Sequence, residues 1–165
     1  YSKEGDLMSV HEIAAAGTSI WLDDLSRAKI TSTDAHALPA RIKNSGVVGV
    51  TTNPSIFSNA ISGAAEYSAD IAAMKGATVD DVVKKLTTDD VRQACDLFAP
   101  IFSSSKGFDG RVSIEVDPRL ARDTEGTIAA GKELWAIVDR PNVMIKVPAT
   151  IEGLPAITAL IAAGK

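Results

Sequence analysis

The chain is short of the residues that usually build metal, disulfide and redox sites: it holds one cysteine and two histidines. Cys95 has no partner for an internal disulfide and no companion set for zinc, which fits a reducing compartment, with the cytoplasm as the default. His11 and His36 lie far from the candidate site described below, and no histidine–carboxylate ligand spacing occurs, so neither is assigned a role. A basic excess is also missing. With 17 Lys and Arg against 21 Asp and Glu, the formal charge is −4. That balance argues against nucleic acid or an anionic membrane as the main partner, although a phosphorylated small molecule needs only a local cationic site. No apolar run approaches the roughly 20 residues that span a bilayer, and no charged-then-apolar signal opens the chain. A soluble, untargeted protein is expected.

What is present is the composition of one compact domain, 165 residues of which 45% are hydrophobic, enough to bury a core. The sequence starts at Tyr1 and stops at Gly164-Lys165 in what reads as the end of a helix, so both ends are expected to be cut.

Residues Leu7 to Ala16 place Val10, Ile13 and Ala14 at helical spacing, with Gly17 as a C-terminal cap. Thr18 to Leu22 reads as a strand closing on Asp23-Asp24. Thr33 to Asn44 returns to helical spacing, with Pro39 its weak point. Val47 to Thr51 is a buried strand that runs into Asn53-Pro54, and the proline forces Asn53 out of the helical region. A helix is expected from Ile61 to Lys75, a second starts at Thr78, and a third at Thr88 with Asp89 and Asp90 in its first turn. Cys95 lies on the apolar face of that third helix with Val91, Ala94, Phe98 and Phe102, which makes it core. After a polar loop from Ser103 to Gly110, Arg111 to Val116 alternates with period two. Asp123 opens another helix, Asn142 to Thr150 contains the fourth strand, and a last helix shows Leu154, Ile157, Leu160 and Ile161 on one face. Trp21 and Trp135 read as packing residues.

Four strands alternating with helices imply parallel βαβ units rather than hairpins. No Gly-x-Gly-x-x-Gly follows the first strand, and Gly126 to Lys132, which matches Gly-x-x-x-x-Gly-Lys, is followed by Glu133 instead of Ser or Thr and falls inside an expected helix instead of a loop, so dinucleotide-binding and P-loop folds lose their main support. A (β/α)8 TIM barrel becomes the leading fold class. Such barrels take about 250 residues, so residues 1–165 would carry about the first four units, half of a single barrel domain, with a leading helix and extra helices after the second strand. An open half-barrel would leave two parallel edges unpaired.

Polar residues fall late in each expected strand: Asp23, then Thr51 and Asn53, then Glu115, then Lys146. Barrel active sites gather at the carboxyl ends of strands. Lys146 interrupts the apolar run of Met144, Ile145 and Val147. It either snorkels to a surface or is held in an apolar pocket, where desolvation disfavours its ammonium form. Glu115 shares a face with Ser113 and Asp117 and points either inward or to solvent. Asp23 and Asp24 are adjacent, and local pattern does not choose between them. Asn53 before Pro54 is either a turn residue or a ligand group. If the faces point inward, carboxylates, an amide and an amine converge. That set suits carbonyl chemistry through a lysine imine, which needs neither metal nor cofactor.

Three segments carry a resemblance over essentially the whole chain: Gly49 to Ser55, Val112 to Asp117 followed by Arg119-Leu120, and Met144 to Thr150 with Gly153. In order, and at the ends of successive strands, they resemble the motifs of the transaldolase family. The long linker between Ser62 and Lys106, with Ser19 to Asp24, is similar to the form found in actinobacteria and some other bacteria. The resemblance implies that Lys146 forms a Schiff base with a ketose phosphate and that Asp23 is the general acid/base of carbon–carbon bond cleavage. It implies that Glu115 moves protons through a water, and that Thr51 and Asn53 hold that water and the substrate hydroxyls. The family transfers dihydroxyacetone between sugar phosphates in the pentose phosphate pathway. Its fifth-strand asparagine and later phosphate-binding serine and arginine have no counterpart here, so the isolated piece is expected to be inactive; the candidate protein partners are the missing carboxyl-terminal half or further copies in a homo-oligomer. A fructose 6-phosphate aldolase-like lyase is the enzyme alternative, although the small aldolases of that superfamily typically lack the carboxylate at Glu115. A non-catalytic sugar-phosphate-binding domain is the other.

Overall fold

The computed structural model describes residues 9–165. Four strands, β1 (Ile20–Asp23), β2 (Val47–Thr51), β3 (Arg111–Glu115) and β4 (Val143–Lys146), form one sheet in the order β1-β2-β3-β4. All neighbours are parallel. Helix α1 (Val10–Ala15) precedes β1, and α2 (Arg27–Thr31) and α3 (Leu38–Asn44) join β1 to β2. The β2–β3 connection holds α4 (Pro54–Ile61), α5 (Ser68–Ala73) and the 26-residue α6 (Val79–Ser104). Helix α7 (Thr124–Val138) joins β3 to β4, and α8 (Gly153–Ala162) follows β4. Successive parallel neighbours linked by helices make half of a (β/α)8 barrel, with the expected leading helix and extra helices after β2. Among the described residues, no helix is long and apolar enough to cross a membrane.

The register sorts the two faces of the sheet. Leu22, Val50, Val112 and Val143 stand in one cross-strand row, with Ile114 and Ile145 in the next. These side chains pack with Val91, Ala94, Cys95 and Phe98 of α6 and with Leu134 and Val138 of α7. Val50, Val112 and Val138 are fully buried, and each contributes about 2 kcal/mol through removal from water. The opposite face carries Trp21, Gly49 and Arg111 in one row, Asp23 beside Thr51, Ser113 beside Met144, and Glu115 beside Lys146. Trp21 lies over Gly49, where a Cβ would fall 2.5 Å from the indole. Only glycine leaves room for that ring.

Several helical expectations are corrected. Ile61 to Lys75 is not one helix: α4 ends at Ile61, and a short 3-10 turn at Ala65–Tyr67 leads into α5. Gly63, at φ +73°, marks the break. The helices expected from Thr78 and Thr88 are one, α6. Thr88 does not cap a helix; its hydroxyl donates back to the Lys84 carbonyl at 2.7 Å, and Asp90 is wholly buried instead of facing solvent in a first turn. The helix expected from Thr33 starts at Leu38, and Pro39 sits in its first turn, where the missing N–H costs nothing. On α8, Ala156 and Leu160 are buried whereas Leu154 and Ile161 are exposed. Leu7, where the leading helix was expected to begin, lies outside the described residues; the helix starts at Val10, with Ser9 as its N-cap.

Candidate active site at the carboxyl ends of the strands

Each of the four strands ends on a candidate residue: Asp23, Thr51, Glu115 and Lys146. The apolar body of each strand packs on the helices, and the pattern stops where polar residues can reach the open end of the sheet. Glu115 and Lys146 are register partners, and Lys146 Nζ lies 3.1 Å from Glu115 Oε2. The same amine donates to the main-chain carbonyl of Thr52 at 2.7 Å. Lys146 therefore neither snorkels freely nor sits in a closed apolar pocket. Its side chain is 39% exposed and held by a carboxylate and a carbonyl.

Asp23 pairs in register with Thr51 and is exposed. Asp24 is engaged instead by Lys29 of α2, which separates the two adjacent acids by surroundings although not by sequence. Among the described residues, no hydrogen bond or ion pair links Asp23 to Lys146 or Glu115. The structure thus brings the amine and one carboxylate into contact and leaves the second carboxylate at the β1 end of the sheet.

Asn53 is extended, at φ −153° and ψ 169°, as a residue before proline should be. It caps α4, its Oδ1 accepting from the N–H of Ile56 at 3.0 Å. The turn reading of Asn53 is therefore met by Oδ1. Asp117 does not extend the β3 face; it caps the short turn at Pro118–Leu120 and pairs with Arg119, which holds its carboxyl below the usual range. Cys95 is core, and burial pushes its thiol up to about 12.

Two groups at the site were not singled out from sequence. The Thr52 carbonyl holds the Lys146 amine, and Ser113 binds both Thr52 and Thr51. The signal for Ser113 was its position two residues before Glu115 on the same face of β3. A cleft of about 700 Å³ opens between α4, α6, α7 and the helix-facing side of β3, touching Asn53 and Glu115 but not Lys146. Among the described residues, no group of three or more His, Cys, Asp or Glu could hold a metal ion.

An amine with a proton acceptor at 3.1 Å, beside further carboxylate and hydroxyl groups at one sheet end, can attack a carbonyl and hand its proton on. The family model for transaldolase and fructose-6-phosphate aldolase matches residues 20–165, the whole of this sheet and its helices. The chain belongs to that family. Within the transaldolase/fructose-6-phosphate aldolase family it is 56% identical over 154 residues to a transaldolase of Mycobacterium ulcerans (strain Agy99), covering 92% of this chain and 40% of that one. The transaldolase of Mycolicibacterium smegmatis is likewise 56% identical, over 92% of this chain and 41% of its own. That of Saccharopolyspora erythraea is 53% identical over 158 residues, 94% of this chain and 42% of the relative. The chain thus spans about two fifths of the length of the curated relatives it matches. The kinship to actinobacterial transaldolases agrees with the form read from the linker after β2.

Proposed function

We propose that residues 1–165 are the amino-terminal half of one barrel domain, and that the whole protein is a transaldolase. It would pass a dihydroxyacetone unit between sugar phosphates, from sedoheptulose 7-phosphate to glyceraldehyde 3-phosphate, giving erythrose 4-phosphate and fructose 6-phosphate in the pentose phosphate pathway. The observation that carries this is the contact of Lys146 with Glu115 at the carboxyl ends of β3 and β4, in a chain so similar to named transaldolases.

In this reading Glu115 takes a proton from the Lys146 amine, directly or through a water, and the freed lone pair adds to the ketone carbon. Loss of water leaves a protonated imine, whose electron demand weakens the carbon–carbon bond one position away. Asp23 removes the proton of the adjacent hydroxyl, the bond breaks, the aldose phosphate leaves, and an enamine remains on Lys146 for the acceptor aldehyde. Thr51 and Asn53 bind the hydroxyls of the three-carbon unit and the water, Asn53 through the Nδ2 that its capping role leaves over. The substrates are soluble sugar phosphates and the location is the cytoplasm.

The test is acceptor dependence in the full-length protein. Sedoheptulose 7-phosphate should react only when glyceraldehyde 3-phosphate is present, and Lys146→Met should abolish transfer. Free dihydroxyacetone without an acceptor would instead make it a lyase, and sugar-phosphate binding indifferent to Lys146→Met with no turnover would make it a binding domain.

A further inference from the structure

Ser113 is the central residue of β3, 4% exposed, and bonds to residues at the end of β2. Its hydroxyl oxygen accepts from the N–H of Thr52 at 3.3 Å and its carbonyl accepts from the Thr52 hydroxyl at 2.7 Å. The Ser113 hydroxyl itself donates to Thr51 Oγ1 at 3.2 Å. Thr52 is fully buried, so water does not compete for these bonds and losing one would leave a buried polar group unmet. Beyond Thr51 the chain has left the β2 ladder, and the pair of bonds to Ser113 is what fixes the Thr52 peptide against β3.

We propose that Ser113 is a positioning residue of the site, setting both the Thr52 carbonyl that holds the Lys146 amine and the direction of the Thr51 hydroxyl. This rests on Lys146 being the imine-forming amine. A carbonyl oxygen accepts and never donates, so it restrains Lys146 through one N–H and leaves the remaining valence of the nitrogen to point at the substrate carbon. A hydroxyl carries a single proton. Because Ser113 gives its proton to Thr51 Oγ1, the proton of Thr51 is turned away from Ser113, where it donates to a substrate hydroxyl or a water. One buried serine thereby aligns a nucleophile on β4 and a donor on β2, neither of which is on its own strand.

Misplacement of a reacting group by about 1 Å costs on the order of 100-fold in rate. In the full-length protein, Ser113→Ala and Thr52→Val are each expected to lower kcat by about tenfold or more. Thr52→Val should leave KM within about threefold, since it frees the amine without removing a substrate-binding group. Ser113→Thr and Thr52→Ser, which keep the hydroxyls, should recover most of the loss. Wild-type kcat in Ser113→Ala would overturn the proposal, as would a loss that both hydroxyl-keeping variants share in full. If Ser113→Ala does not fold, Thr52→Val decides, and wild-type kcat there overturns it. Borohydride labelling of the unmodified protein separates the two layers. Label at Lys146 with unimpaired variants removes only the role of Ser113, whereas an active protein without label removes the imine reading and this proposal together.

Discussion

At the scale of single residues, the candidate site is a set of strand ends. Removing the Glu115 carboxyl as Glu115→Gln keeps the shape beside Lys146 but ends proton acceptance, and should lower kcat by about 100-fold to 10,000-fold in a steady-state assay of the full-length protein. Cys95 makes the opposite kind of prediction. Its thiol is buried and pushed up to about 12, so native protein at pH 8 should resist iodoacetamide and label only in denaturant. Mass spectrometry of the treated protein checks this. The strand-end placement of the Asp23-Asp24 pair, Thr51, Glu115 and Lys146 was legible in the sequence, because polar residues closing an apolar strand interrupt its pattern. The choice between Asp23 and Asp24 was not legible, since it depends on Lys29 reaching back from α2 to Asp24. Nor was the Thr52 carbonyl, because main-chain acceptors leave no trace in residue type.

At the scale of elements, the strands were read closely because short apolar runs ended by Asp, Asn-Pro or Asp-Pro have little freedom of interpretation. The helices were read less well, and α6 shows why. Thr88, Asp89 and Asp90 look like a helix start, yet Asp90 is buried, accepting from the Tyr67 hydroxyl at 2.6 Å and from Arg27 Nε at 3.0 Å. The acid belongs to a contact between α6, α2 and the turn before α5, which no local pattern reports. Burial pushes the Asp90 carboxyl up, and the bonds from Tyr67 and Arg27 pull it back. Asp90→Ala takes the acceptor away from the Tyr67 hydroxyl and from Arg27 Nε, although Arg27 keeps its ion pair with Asp70, and should cost about 1–3 kcal/mol, read as a lower urea midpoint; Tyr67→Phe should cost about 1–3 kcal/mol. Gly153 has an equally specific role at the start of α8. A Cβ there would lie 1.9 Å from the Pro148 carbonyl oxygen, so Gly153→Ala must shift the β4–α8 connection and should lower Tm while disturbing the strand end that carries Lys146.

At the scale of the whole molecule, alternation of strands and helices was enough to imply parallel units, but strand order was not contained in it; the register from Leu22 through Val50 and Val112 to Val143 supplies that. The sheet has β1 and β4 at its edges, and on its site-bearing face Trp21 and Met144 remain 36% and 41% exposed. On the proposed reading of the chain as half of a barrel, these side chains face the space that the remaining strands would enclose. The most direct test of the account is to treat the full-length protein with fructose 6-phosphate and sodium borohydride and to map the modified peptide by mass. A reduced three-carbon adduct on Lys146 is predicted; an adduct on another lysine, or none in a protein that turns over substrate, would contradict it.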